Sequence, residues 1–117
     1  MNTKSPLITV IMSVYNTDTS YLSESINSIL GQTFTDFEFL IVDDCCQGRT
    51  KIQLEQYEKA DSRICLIHNS ENLGLTKSLN IMLKRAKGEY IARMDADDIS
   101  KPERLQKQLD YMKSHPQ

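Results

Sequence analysis

The chain has no tryptophan, and its 117 residues include only four glycines, three prolines and three cysteines. So little Gly and Pro excludes collagen-like and low-complexity architectures. With 39% hydrophobic and 26% charged residues, the composition is that of a folded globular protein rather than a disordered one. No apolar run approaches the ~20 residues of a membrane-spanning helix. The longest, Leu7–Val14, is broken by Thr9 and Ser13. The opening Met-Asn-Thr-Lys-Ser-Pro lacks the apolar stretch of a signal peptide. A cytoplasmic location is therefore expected. Neither sign of charge dominates: 14 Lys and Arg face 16 Asp and Glu, for a net charge of −2. A nucleic-acid partner would call for a concentrated basic face, so none is expected. Cys45, Cys46 and Cys65 are odd in number and lack zinc-ligand spacing. They read as free thiols of a reducing compartment. The length suits one domain or part of one.

What is present alternates between strand and helix. Leu7–Val14 is a short β-branched run of the kind buried on both faces of a parallel sheet. Leu22, Ile26, Ile29 and Leu30 form a helical stripe that Gly31 is expected to stop. Phe37–Val42 and Ile64–His68 read as strands, and Tyr90–Met94 as a fourth. Thr50-Lys51-Ile52-Gln53 fits a capping box opening a helix that runs to Ala60. Leu75, Leu79, Leu83 and Ala86 form the stripe of a third helix, ended by Gly88. Ser100-Lys101-Pro102-Glu103 fits a second capping box before Leu105, Leu109 and Met112. The methionines fall on these stripes and read as core. His68 and His115 have no ligand partner nearby in sequence and read as structural or solvated. No internal repeat occurs. The order β-α-β-α-β-α-β-α predicts an α/β fold, a Rossmann-like open parallel sheet with flanking helices.

In such sheets, ligands bind beyond the carboxyl ends of the strands. Three polar clusters fall there: Ser13–Asn16 after the first strand, Asp43-Asp44 after the second and Asp95–Asp98 after the fourth. Each has a bland reading as turn or helix-cap chemistry. Together they place five aspartates on one rim, and unpaired carboxylates in one place call for a cation. Asp95-x-Asp97 can offer two oxygens to a hard metal whose shell is completed by waters or phosphates. A metal-assisted nucleotide or phosphate site is the expectation. The dinucleotide fingerprint and the P-loop are both missing. A calcium loop is excluded because Lys101-Pro102 and Gln106 stand where its later ligands would be needed. A receiver domain would carry its acid pair after the first strand, where this chain has Ser13-Val14-Tyr15-Asn16.

Five ordered segments resemble the family 2 glycosyltransferases of the GT-A group. They are Val10–Asn16, Ser25–Phe37, Glu38–Asp44, Asn72–Asn80, and Lys87–Asp98 followed by Pro102–Leu105. The resemblance runs through essentially the whole chain from Leu7 onward. It implies transfer of a sugar from a nucleotide donor, commonly a UDP-sugar, to an acceptor hydroxyl, with inversion and with Mn²⁺ or Mg²⁺. It further implies that Ser13, Tyr15 and Asn16 help line the nucleoside pocket and that Asp43 takes the base, through uracil N–H. Asp44 and Lys77 would line the donor site. Asp95 would contact ribose or sugar and share the metal with Asp97, and Asp98 is a further candidate on the sugar side. The acceptor would be a saccharide or a lipid-linked saccharide, at the cytoplasmic face of a membrane in many relatives, in polysaccharide or glycoconjugate biosynthesis. Two positions depart from the pattern. Cys45-Cys46-Gln47-Gly48-Arg49-Thr50 stands where Gly-Ser-x-Asp-Gly-Thr is usual, and Met82 stands where Gly is common.

The family's catalytic domain is longer than this chain. Residues 1–117 are therefore expected to form a single partial domain, the nucleotide-sugar-binding half, with the acceptor pocket and catalytic base elsewhere. Its bare sheet edge is expected to favour self-association. Two other readings remain: a non-catalytic nucleotide- or metal-binding module, and a nucleotidyltransferase, whose Gly-rich basic loop after the first strand is lacking.

Overall fold

The protein was analysed as a computed structural model that describes residues 5–115. Met1, Pro116 and Gln117 lie outside the described residues. Eight elements alternate: β1 (Ile8–Val14), α1 (Thr19–Leu30), β2 (Phe37–Asp43), α2 (Gly48–Ala60), β3 (Ile64–His68), α3 (Leu75–Arg85), β4 (Tyr90–Arg93) and α4 (Arg104–Ser114). The four strands are parallel, in the order β3-β2-β1-β4. The chain moves outward from β1 to β2 and β3, then returns to the other side of β1 for β4. The order therefore reverses between β1 and β4, and that is where open α/β sheets place their ligands.

β1 and β2 are central and nearly all buried, which is why their sequences are continuous apolar runs. Successive side chains point to opposite faces. Ile8, Val10, Met12 and Val14 of β1 join Phe37, Phe39 and Ile41 of β2 on one face. Leu22, Ile26 and Ile29 of α1, Leu54 of α2, and Leu105 and Leu109 of α4 cover that face. The opposite face is smaller: Ile11, Leu40, Val42 and Ile67 pack under Met82 of α3. Three helices thus cover one face and a single helix the other.

Both capping-box expectations are corrected. α2 begins two residues before Thr50, at Gly48, and no side chain caps it. The Thr50 hydroxyl donates instead to the Thr17 carbonyl at 3.1 Å, tying α2 to the loop before α1. α4 begins at Arg104, and Ser100 does not cap it. Its cap comes from far away in sequence: Gln32 Oε1 accepts the Leu105 N–H at 2.9 Å. The Gln32 amide donates to the Lys101 carbonyl at 2.7 Å. A helix needs its first amides satisfied but does not require a local donor of the cap.

α3 is rotated from the expected stripe. Leu75 and Leu83 are half-exposed, while Ser78 and Met82 are fully buried. The small Ser78 side chain lets the helix sit close to the sheet, and no second helix on this face covers the flanking leucines. Gly88 does not end α3, which stops at Arg85 with Ala86 as its cap. Gly88 instead lies against β1, where a Cβ would meet Thr9 N at 2.4 Å. Met12, Met82 and Met94 are core, as expected, but Met112 is exposed.

Candidate functional site

The rim at the carboxyl ends of the strands gathers the predicted residues, and strand periodicity sorts them by side. The β1–β2 register pairs Val14 with Asp43, and the β2–β3 register pairs Asp43 with His68. Asp43 therefore points to the face of α1, α2 and α4. Alternation sends Ser13 and Asp44 to the α3 face. β4 pairs Ile11 with Arg93, and its ladder continues with the Met94 N–H donating to the Ile11 carbonyl at 2.9 Å. Two residues past Arg93, Asp95 stands level with Ser13 on the same face. Lys77, exposed in the first turn of α3, shares that side.

Asp43 is only 2% exposed, and both its oxygens are engaged. Oδ1 accepts the Cys46 N–H at 2.6 Å. Oδ2 accepts from His68 Nδ1 at 2.7 Å. His68, expected to be structural or solvated, is half-exposed and structural, but its partner is a site carboxylate, a pairing the sequence did not point to. The signal was available in principle, because a residue ending β3 lies level with one ending β2. The turn after Asp44 is held from two sides. Cys46 Sγ donates to the Val14 carbonyl at 3.1 Å and accepts the Asn16 N–H at 3.4 Å. Asn16 Oδ1 accepts the Gln47 N–H at 3.2 Å. Burial above all, with the Asp43 and Asp44 charges, pushes the Cys46 thiol up to about 12. It is a packed hydrogen-bonding group, not a nucleophile.

Asp44, also 2% exposed, faces the loop before α3. Its oxygens accept from Asn69 Nδ2 at 3.0 Å, Leu73 N–H at 2.7 Å and Gly74 N–H at 3.0 Å. Burial raises its carboxyl, but these three bonds together outweigh it and hold the group below its ordinary value. The N-terminal end of α3 adds a favourable dipole. Sequence reasoning passed over Asn69, which also donates to Ser78 Oγ at 3.2 Å and so fixes α3 to the rim.

Asp95, Asp97 and Asp98 lie on the exposed loop after β4. α1 holds this loop: Ser25 Oγ donates to the Asp95 carbonyl at 3.3 Å, and Ser28 Oγ accepts the Ser100 N–H at 3.0 Å. Arg104 secures the other side, donating to the Arg93 carbonyl at 2.7 Å. Among the described residues, no three His, Cys, Asp or Glu side chains gather closely enough to hold a metal ion unaided. Two exposed carboxylates with open coordination suit a hard cation that a phosphate ligand would complete. Tyr15 and Asn16 are exposed at the tip of β1, and Asn16 adopts a left-handed φ of 50°.

Comparison with known proteins matches glycosyl transferase family 2 over residues 9–117. The chain belongs to that family. It is 44% identical over 111 residues to an uncharacterised glycosyltransferase of Methanocaldococcus jannaschii, covering 94% of this chain and 38% of the relative. It is 41% identical over 107 residues to the putative teichuronic acid biosynthesis glycosyltransferase TuaG of Bacillus subtilis, covering 92% of this chain and 42% of TuaG. TarS of S. aureus, solved in complex with UDP-GlcNAc, superposes with a TM-score of 0.83 at 31% identity, covering 92% of this chain and 31% of that one. Mannosyltransferase PcManGT of Pyrobaculum calidifontis, solved with GDP-Man and Mn²⁺, gives 0.82 at 23% identity, covering 94% of this chain and 33% of that one, and shares the fold. The open parallel sheet is thus that of the GT-A glycosyltransferases. The chain spans well under half the length of the curated relatives it matches. No helix among the described residues is long and apolar enough to cross a membrane.

Family membership gives the departures in the β2–α2 loop a physical meaning. Cys45, where the family usually has Gly, takes a left-handed φ of 64°. The backbone keeps a shape suited to Gly and strains the residue that replaced it. Cys46, where Ser is usual, uses its thiol as a hydroxyl would be used, bonding both Val14 and Asn16. Met82, where Gly is common, fills the core beneath α3.

Proposed function

We propose that residues 1–117 form the donor-binding part of the catalytic domain of an inverting glycosyltransferase that moves a sugar from a UDP-sugar to an acceptor hydroxyl in polysaccharide or glycoconjugate biosynthesis. The observation that carries this reading is the rim itself. Ser13–Asn16, Asp43-Asp44 and Asp95–Asp98 stand at the ends of three adjacent strands, two of which flank the reversal of strand order. TarS, bound to UDP-GlcNAc, supports a uridine donor.

In this reading Tyr15 and Asn16 line the nucleoside, with Ser13 behind them. Asp43 receives the base N–H on a lone pair that Cys46 and His68 leave free. Asp44 and Lys77 line the donor on the α3 side. Asp95 meets ribose or sugar, Asp98 lies toward the sugar, and Asp97 with Asp95 would hold Mn²⁺ or Mg²⁺. The cation, when bound, neutralises the diphosphate and stabilises its departure. The acceptor oxygen bonds the anomeric carbon as the bond to the nucleoside diphosphate breaks. A carboxylate base takes the acceptor proton, and we assign it to none of these residues. The acceptor is a saccharide, free or lipid-linked, met in the cytoplasm or at the cytoplasmic face of a membrane. The 117 residues alone bind donor without transferring sugar.

The test is a thermal-shift titration of UDP with and without Mn²⁺ on this chain and on Asp97→Asn. A ligand that binds only the folded state raises the melting temperature by mass action. Metal-dependent stabilisation by UDP that Asp97→Asn loses is the expected result. No shift at saturating UDP and Mn²⁺, in a chain shown to be folded, overturns the reading. The rival reading, a nucleotide- or metal-binding module serving no transferase, predicts binding without transfer even when the chain is extended to the length of its relatives.

A further inference from the structure

We propose that His68 is a positioning residue for nucleoside binding, acting through Asp43 and Cys46 on the Asn16 loop; this rests on the donor-site reading above. The two side chains meet because the register sets His68 beside Asp43 at the ends of β3 and β2. A carboxylate only accepts hydrogen bonds, so Nδ1 carries the hydrogen in their 2.7 Å contact. The Asp43 side chain is 3% exposed, while that of His68 is 45% exposed. The imidazole is thus one solvent-facing end of a chain of contacts that is buried at Asp43 and Cys46 and returns to the surface at Asn16.

That chain is continuous. His68 holds Asp43 Oδ2, and Asp43 Oδ1 holds the Cys46 amide at 2.6 Å. Cys46 Sγ then bridges the Val14 carbonyl and the Asn16 amide, and Asn16 Oδ1 takes the Gln47 amide. It ends on a residue with a left-handed φ, a conformation that non-glycine residues keep only when their surroundings hold it. Without the imidazole, Asp43 would keep the Cys46 amide but lose the bond that fixes its second oxygen. The turn that seats Cys46 against β1 would then loosen, and Tyr15 and Asn16 with it.

The imidazole opens into a cleft of about 640 Å³ that Lys51 and Glu55 of α2 also line. Cys45 and Cys46 line it from the turn, and Asp43 from β2.

The experiment pairs two readouts on the full chain. Amide NMR spectra of the wild type, His68→Gln and His68→Leu are compared without nucleotide. UDP affinity in the presence of Mn²⁺ is then measured for all three. The expected result is that the Cys46, Asn16 and Gln47 amides shift together in His68→Leu and stay near their wild-type positions in His68→Gln, whose amide can still donate to Asp43. UDP binding should weaken about tenfold in His68→Leu and recover in part in His68→Gln. Cys46 and Asn16 amides that do not move in His68→Leu overturn the proposal, and this holds whether or not UDP binds. Equal UDP affinity in wild type and His68→Leu also overturns it. Failure of the wild type to bind UDP, with the coupled amide shifts present, counts against the donor-site reading and leaves the coupling established.

Discussion

Replacing Asp44 with Asn removes one charge and almost no volume, so its cost isolates the hydrogen bonds of the rim. Oδ1 serves both Asn69 Nδ2 and the Leu73 amide, and Oδ2 serves the Gly74 amide. An asparagine that puts its carbonyl oxygen in the Oδ1 place keeps two of these bonds. Its NH₂ then faces the Gly74 N–H, donor against donor. The reverse orientation sets NH₂ against two donors and is worse. A buried donor left unsatisfied costs about 1–3 kcal/mol. The negative charge lost near the start of α3 adds roughly 0.3–1 kcal/mol. The expected loss is about 2–3 kcal/mol, a large share of the stability of a small domain. Urea denaturation with a slope of about 1–3 kcal/mol per molar would show a midpoint lower by roughly 0.7–3 M.

The pH dependence gives a second check with a fixed sign. The native Asp44 carboxyl is held below its ordinary value of 3.8. A group depressed in the native state contributes stability that is present above the unfolded value and is lost as pH falls through the native one. The gap between wild type and Asp44→Asn should thus be widest near neutrality and shrink as the pH drops below 3.8. A gap under about 0.5 kcal/mol, the scatter of ordinary surface substitutions, or one unchanged from neutral to acid pH, would refute the assignment of these bonds.

Gly88→Ala should destabilise the protein by at least about 2 kcal/mol in the same assay, because the added Cβ meets Thr9 N at 2.4 Å and the Ile8 carbonyl carbon at 2.7 Å, both backbone atoms of β1. Cys45→Gly should stabilise it by about 0.5–1 kcal/mol, since relief of a left-handed φ outweighs the entropy of the added glycine; a loss of stability would show that Cys45 is not strained. Sedimentation should show concentration-dependent association of the 117-residue chain, since among the described residues β4 pairs only with β1, and Ile91, Tyr111 and Met112 beside it are exposed; Ile91→Lys should shift it toward monomer, and a single monomeric species for the wild type would refute this.

β1 and β2 were legible because each is a short, mainly apolar run that a sheet buried on both faces accounts for, whereas β3 and β4 at the edges are only partly buried. The periodicity of α1 was likewise sufficient, since Leu22, Ile26 and Ile29 all turn inward. Helix starts were not, and Gln32 shows why: it caps α4 from 73 positions away. A capping box is a local pattern, and here the first amide was satisfied by tertiary structure. α3 misled because its sequence carries more leucine than one helix can bury on a face it covers alone. His68 was missed for the same reason as Gln32. Its partner Asp43 lies 25 positions away in the chain, yet the register makes them neighbours.

The positions of the aspartates were legible, but their electrical roles were not, and those roles decide where a cation would go. Asp43 and Asp44 are consecutive and point to opposite faces, so each meets its own donors. Asp43 has the Cys46 amide and His68. Asp44 has Asn69, two backbone amides and the end of α3. Both are buried and both are already compensated. Asp95, Asp97 and Asp98 are exposed, and among the described residues their only ion pair is Arg93 to Asp95 at 3.4 Å. An exposed pair of that length contributes little. The negative charge that remains uncompensated therefore lies after β4, beside the reversal of strand order. A divalent cation gains most there and least at Asp43-Asp44, where it would compete with hydrogen bonds the fold has already made.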